Sequence, residues 1–186
     1  MPELRITGAP PPDARRRALR DALGELVPGW RPLAENVLGA DTRIDWVGRD
    51  GAGSCVIALI GRKGGDLALV AEGLAQRAWV SARVADWAQI APEAGLRVGA
   101  EVGVVLLAPQ FRPAAIAAAR AAAGPALQLA LLRFVENGTG IAPLIEALGD
   151  GSDGEAVPGG AGFRTGLSAA DLDLTPEEHA EFEDQL

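Results

Sequence analysis

The sequence predicts an α/β domain in which helices pack on a mixed β-sheet. Two observations carry that reading. Helix-like and strand-like segments alternate in the order helix, hairpin, helix, strand, helix, strand, an order that lays helices over a sheet with parallel members. Two of the strand-like segments, Cys55 to Ile60 and residues 101–108, are nearly unbroken apolar runs, as expected of central strands covered on both faces.

Residues 13–27 read as the first helix, with Asp13 as N-cap, Leu19, Leu23, Leu26 and Val27 at helical spacing, and Pro28-Gly29 as the stop. The cluster Arg15-Arg16-Arg17 with Arg20 lies on it, either as a solvated face or as a phosphate contact. Residues 31–39 read as a second short helix ending at Gly39. Residues 42–48 and 54–61 form a hairpin in which Ile44, Trp46 and Gly48 alternate with Arg43, Asp45 and Val47. Asp50-Gly51-Ala52-Gly53 is its turn.

After the exit loop Arg62-Lys63-Gly64-Gly65-Asp66, a long helical region is expected over residues 66–91, with Leu67, Val70, Leu74, Trp79 and Val80 facing inward. Residues 101–108 form a strand ended by Pro109. Residues 113–123 form an Ala-rich helix, and residues 126–135 a further strand. The stretch just before Gly149 reads as helix. Residues 1–148 are thus one domain. Residues 149–186 divide into a Gly-, Asp- and Ser-rich linker and an acidic C-terminal tail helix. Thr175 caps that helix, Pro176 opens it and Glu178 completes a capping box.

The formal net charge is −8, and it is unevenly spread. Residues 150–186 hold ten acids and one base, Arg164, so they carry −9 and leave +1 on the body. A near-neutral body removes the objection that the overall acidity raises against nucleic acid, but does not itself argue for such binding. The tail could solubilise the protein, cover a basic groove or dock on a partner. No apolar run is long enough to span a bilayer, and the start shows no basic and apolar signal pattern. A single cysteine, Cys55, forms no internal disulfide. These features lead to the expectation of a cytoplasmic protein without a membrane partner.

Several chemistries are excluded. With one cysteine and one histidine, His179, there is no donor set for zinc and no basis for a Ser-His-Asp or Cys-His device. Gly149-Asp150-Gly151-Ser152-Asp153-Gly154 matches a G-x-G-x-x-G pattern by letter. It lacks the strand before it and the helix after it that dinucleotide binding needs, and its acids repel phosphate. It also lacks the spacing and terminal Glu of a calcium loop. Gly61-Arg62-Lys63-Gly64-Gly65 is not followed by the Lys-Ser/Thr of a P-loop.

One carboxylate stands out by position. Asp45 sits on the first strand of the hairpin, where a metal-dependent nuclease carries an acid that works with a second carboxylate on the next strand. Around it the chain resembles the PD-(D/E)XK restriction-endonuclease-like superfamily, in the single-domain branch related to endonucleases of mismatched or branched DNA. The resemblance runs from about Leu33 to Phe134. It rests on Glu35, Arg43-Ile44-Asp45-Trp46-Val47, the Asp50-Gly51 turn, the apolar strand and the helix ending Gln76-Arg77-Ala78-Trp79-Val80. Leu174-Thr175-Pro176-Glu177-Glu178 also looks like a closing helix of such proteins. It implies a mixed sheet flanked by helices. It also implies a site with acids at Glu35 and Asp45. The strand acid of the Glu-x-Lys motif falls on Leu59 and its lysine on Gly61, and neither can bind a metal or move a proton. The helix position often held by Gln falls on Glu72.

Three functions follow. The first is a non-catalytic, degenerate nuclease-like domain without cofactor, serving as an interaction or assembly module with a protein partner or with itself. The second is a Mg²⁺-dependent DNA endonuclease with a migrated site. In it Asp45, Glu72 and Lys63 would be catalytic, and Glu35, Asp45 and Glu72 would hold the metal. The third is a non-cleaving nucleic-acid-binding protein using Arg15, Arg16, Arg17 and Arg62.

Overall fold

The computed structural model describes residues 5–8, 10–123, 126–136 and 141–149, all within the compact unit Met1–Asp150. Apart from Gly149, the expected linker and acidic tail helix lie outside the described residues, as does His179. The described elements run β1 (Arg5–Thr7), α1 (Pro12–Leu26), β2 (Arg31–Leu38), β3 (Arg43–Arg49), β4 (Cys55–Ile60), α2 (Asp66–Ser81), α3 (Val84–Ile90), β5 (Gly103–Ala108), α4 (Pro113–Ala123), β6 (Leu127–Glu136) and β7 (Ile141–Ala147), with a 3₁₀ turn at Pro92–Ala94.

The strands form one sheet in the order β1-β6-β5-β4-β3-β2, with β7 also on β6. β2, β3 and β4 form an antiparallel meander. β4, β5 and β6 are parallel, and α2 and α4 lie on the connections between them. β1 and β7 run antiparallel to β6. This is the α/β architecture, a mixed sheet flanked by helices, that the alternation of elements predicts.

Two cores cover the two faces. On one, Leu19 and Leu23 of α1 and Val27 just after it pack on Trp46, Val56, Ala58, Val105, Leu107 and Ala130. On the other, Leu69, Val70 and Val80 of α2 and Ala115 and Ala119 of α4 pack on Ile57, Leu59, Val104 and Leu106. The alternation along β4 shows both at once, since Val56 and Ala58 belong to the first and Cys55, Ile57 and Leu59 to the second. Among the described residues no helix is long and apolar enough to cross a membrane.

Several local expectations are corrected. Residues 31–38 are a strand, not a helix. Ala34, Glu35 and Leu38 have good helix propensity, but pairing with β3 overrides it. The pairing is irregular, shifting register between Pro32 and Ala34, and Asn36 sits at φ 56, a left-handed conformation that Asn tolerates better than most residues. Residues 141–147 are likewise a strand on β6 rather than a helix, with Pro143 accommodated at the sheet's edge. The three-residue β1 was too short to show a period. α1 begins at Pro12, with Pro11 at the N-cap position, so Asp13 lies inside the helix. The region 66–91 breaks into two helices after Ser81. Within α2, Leu69, Val70, Gly73, Gln76 and Val80 are buried while Leu67 is exposed.

Candidate functional site

The backbone ladder between β3 and β4 runs from Arg49↔Cys55 to Trp46↔Ala58 and goes no further. At that point the alternation of β3 breaks. Ile44 and Trp46 are two residues apart, and a regular strand would place them on one face. They are buried in opposite cores instead. Asp45 lies between them. Its carboxylate Oδ2 accepts the backbone N–H of Ile60 at 2.8 Å, and so takes the place of a ladder partner at the end of β4.

Asp45 is half-buried. Burial pushes its carboxyl above the ordinary range. The Ile60 hydrogen bond and the positive charges of Arg15 and Arg16 work against the rise, and the negative charge of Glu72 adds to it. The structure therefore brings together Asp45 from β3, Arg15 and Arg16 from α1, and Glu72 from α2. The two expected metal acids besides Asp45 stand on opposite sides of the sheet. Glu35 is cross-strand partner to Trp46 on the α1 side and lies 3.8 Å from Arg20 of α1 in an exposed ion pair. Glu72 belongs to α2, which covers the other face.

The two positions that depart from the nuclease pattern are part of the fold. Leu59 is 1% exposed in the core under α2. A Cβ on Gly61 would stand 2.6 Å from Leu69 Cδ2 and 3.4 Å from Ala108 Cβ. Lys63 and Arg62 are exposed on the loop beyond. Lys63 borders a small hollow with Gly64, Asp66, Gln110 and Arg112 and is not among the charges that act on Asp45. Arg17 is exposed on α1. Among the described residues no group of three or more His, Cys, Asp or Glu is placed to hold a metal ion.

Two buried polar groups shape this end of the sheet and were not singled out from sequence. Gln76, 1% exposed, accepts from the Ala40 N–H at 3.1 Å and donates to Thr42 O at 3.2 Å and Thr42 Oγ1 at 2.8 Å. It holds the β2–β3 turn against α2. Asp66, also 1% exposed, accepts from Arg112 through the backbone N–H (2.7 Å), Nε (3.0 Å) and Nη2 (2.7 Å). The side-chain and then the backbone hydrogen bonds of Arg112 hold its carboxyl down to about 2. This pair ties the loop after β5 to the start of α2. An Asp in a helix's first turn is a visible sequence signal; its partner, 46 positions away, is not.

An apolar hollow of about 300 Å³ opens beside the edge strand β2, lined by Leu33, Ala34, Val37 and Val47 and by Trp87, Ala91, Ala94 and Leu96. Nearby apolar side chains are well exposed, Leu38 at 69% and Ile90 at 81%.

The sequence matches no protein-family model and no curated protein. Among solved structures it is similar to a repair endonuclease from Pyrococcus abyssi, at 16% identity and a TM-score of 0.45, covering 66% of this chain and 47% of that one. It is also similar to EndoMS solved in complex with double-stranded DNA, at 24% identity and a TM-score of 0.36, covering 61% of this chain and 41% of that one. A third is Pyrococcus furiosus SfsA in complex with Ca²⁺, at 13% identity and a TM-score of 0.37, covering 74% and 62% of the two chains. The match thus spans less than half the length of the first two proteins, and each likeness is one of fold.

Proposed function

We propose that this chain is a nuclease-like domain that does not cleave nucleic acid and serves as an interaction module. The observation that carries this is the state of the strand end at Asp45. The surviving carboxylate is engaged by the Ile60 amide, and the strand acid position is a buried leucine. The lysine position has no room for a side chain unless Leu69 moves. The outer edge of β2, which has no strand partner among the described residues, and the apolar hollow beside Trp87 support the interaction side of the reading, with a second copy or another protein of apolar surface as partner. The test is a cleavage assay with Mg²⁺ on plasmid, mismatched and branched DNA. No cleavage is expected; cleavage that Asp45→Ala abolishes would sink the reading. Analytical ultracentrifugation of the wild type and Ile90→Glu tests self-association, which is expected to be lost in the variant. A wild type that stays monomeric removes the second copy as partner.

A second reading, the migrated Mg²⁺ site, has one observation in its favour: the charge of Glu72 acts on Asp45. It needs Lys63 to move toward that pair, and the same assay with Glu72→Gln and Lys63→Met decides it. Non-cleaving nucleic-acid binding through Arg15, Arg16, Arg17 and Arg62 is supported by the position of Arg15 and Arg16 beside Asp45. It predicts an affinity that falls steeply with salt.

A further inference from the structure

The apolar hollow between β2 and α3 has one wall of Leu33, Ala34 and Val37 and another of Trp87 and Ala91. Ile90, next to Ala91, is 81% exposed, and Leu33 is 38% exposed. A solvated apolar surface of this kind marks a contact surface. A continuous ladder along the edge of β2 is interrupted, since Pro32 has no N–H, the register shifts after it, and Asn36 stands at φ 56. The side chains around the hollow therefore carry the contact.

Charge is polarised along this groove. At the start of β2, Arg31 pairs across to Arg49. Gly95 lies beside Arg49, since a Cβ there would stand 3.6 Å from Arg49 Nε. Arg97 joins them, its backbone N–H donating to Gly53 O at 2.8 Å. Two acids, Glu93 and Asp50, stand near these three arginines, and the Asp50 carboxylate is taken up by the amides of Ala52 and Ser54. α3 leads from Val84 toward Gly95, so its first turn, which carries Asp86, lies away from this end. There β2 runs into a turn that carries Asp41, and both acids are exposed. The bases nearby are engaged or turned away. Arg83 stacks over the Trp79 ring at 4.0 Å. Arg43 is opposite Leu38, one position past the Val37–Ile44 pair that faces the α2 core, so it points to the other face of the sheet. A surface basic at one end and acidic at the other matches a copy of itself turned end for end, the arrangement that a two-fold axis produces.

We propose that a second copy of this chain covers the hollow, the two copies meeting end for end about a two-fold axis with Ile90 of each against the apolar wall of the other. This assembly rests on the interaction-module reading and specifies its partner. The test is sedimentation of the full chain over a range of concentrations, at low and moderate salt, with circular dichroism to show that each variant folds. A monomer–dimer equilibrium that weakens with salt is expected. Arg31→Glu and Asp86→Arg should each weaken dimerisation by at least about tenfold. The double variant should recover most of that loss, because it exchanges the charges of the two ends. Arg133→Glu, exposed on β6, should leave the dimer unchanged. If Arg31→Glu does not fold, Asp86→Arg decides together with Ala91→Trp, which fills the hollow and should weaken the dimer likewise. A wild type that stays monomeric overturns the proposal and leaves another protein as the partner, whereas DNA cleavage abolished by Asp45→Ala is the separate failure of the underlying reading. A dimer that neither charge variant weakens, or a double variant no better than the single ones, also overturns it.

Discussion

The Asp45 carboxylate accepts the backbone hydrogen bond of Ile60 at 2.8 Å, just where the β3–β4 ladder stops. A residue that a nuclease would use to hold metal is thus part of how two strands are joined. Asp45→Ala leaves the Ile60 amide without an acceptor, at a cost of about 1–3 kcal/mol. Asp45→Asn keeps an acceptor and removes a half-buried charge. The melting temperatures at neutral pH should rank Asn at or above wild type, with Ala lowest. An alanine variant as stable as wild type would remove the structural role.

The same residue gives a pH signature. Burial raises the folded-state carboxyl above its unfolded value, so the folded state binds the proton more tightly. The resulting stability is present in full below the ordinary carboxylate range, about 3.9 for Asp. It is lost as pH rises through the raised folded value. Denaturant melts across the mildly acidic range should show this fall in the wild type and a flatter profile in Asp45→Asn. Identical profiles would contradict the assigned burial effect.

Introducing the Glu and Lys of the nuclease motif should damage the fold rather than confer activity. Leu59→Glu places an ionisable group at a position 1% exposed, among Leu69 and Leu106, for a penalty of several kcal/mol. Gly61→Lys brings a Cβ to 2.6 Å from Leu69 Cδ2, which that side chain's own movement partly relieves. Thermal melting should show a large drop for Leu59→Glu and a smaller one for Gly61→Lys. A well-folded double variant that cleaves DNA would show that the site is intact apart from these two positions.

The central fold was legible because its signals are local and strong. The apolar run of β4, the Asp50-Gly53 turn and the Ala-rich α4 each declare themselves within a short window. β2 and β7 were misread as helix because Ala34, Glu35 and Leu38, and Leu144, Ile145 and Leu148, suit a helix until a neighbouring strand competes for the backbone. The sequence supplies the residue types at Asp45, Leu59 and Gly61. The bond from Asp45 to Ile60, the break between Ile44 and Trp46, and the partners of Gln76 and Asp66 were not legible, since each depends on segments that only the folded chain brings together.

Gln76 is expected to matter more than its neighbour Glu72 for stability. It satisfies the Ala40 amide and both oxygens of Thr42 from a buried position, and Gly39 leaves it room, since a Cβ there would stand 1.8 Å from Gln76 Oε1. Gln76→Ala should cost about 1–3 kcal/mol and speed amide exchange at residues 39–42. Glu72→Ala should do neither. Equal effects would show that the turn is held by its own backbone.

Acid should find out Asp66. The Arg112 hydrogen bonds hold its carboxyl at about 2, below the unfolded value, so its contribution is present above the ordinary carboxylate range and is lost as pH falls toward that figure. Asp66→Asn should therefore lower the melting temperature at neutral pH, and the gap from wild type should close as the solution is acidified toward pH 2. A gap that stays constant would mean that the substitution acts through packing alone.

Cys55 should be inert in the folded protein. It is 1% exposed in β4, and burial pushes its thiol up to about 12, so the reactive thiolate is scarce at any ordinary pH. Reaction with a thiol-specific disulfide reagent then requires β4 to leave the sheet. β4 is paired on both sides, with β3 and with β5, so that opening should approach global unfolding in free energy. The labelling rate should be negligible in buffer and should rise with denaturant in parallel with the unfolding transition. Fast labelling in buffer would mean that β4 opens locally at its first residues, the end paired with Arg49.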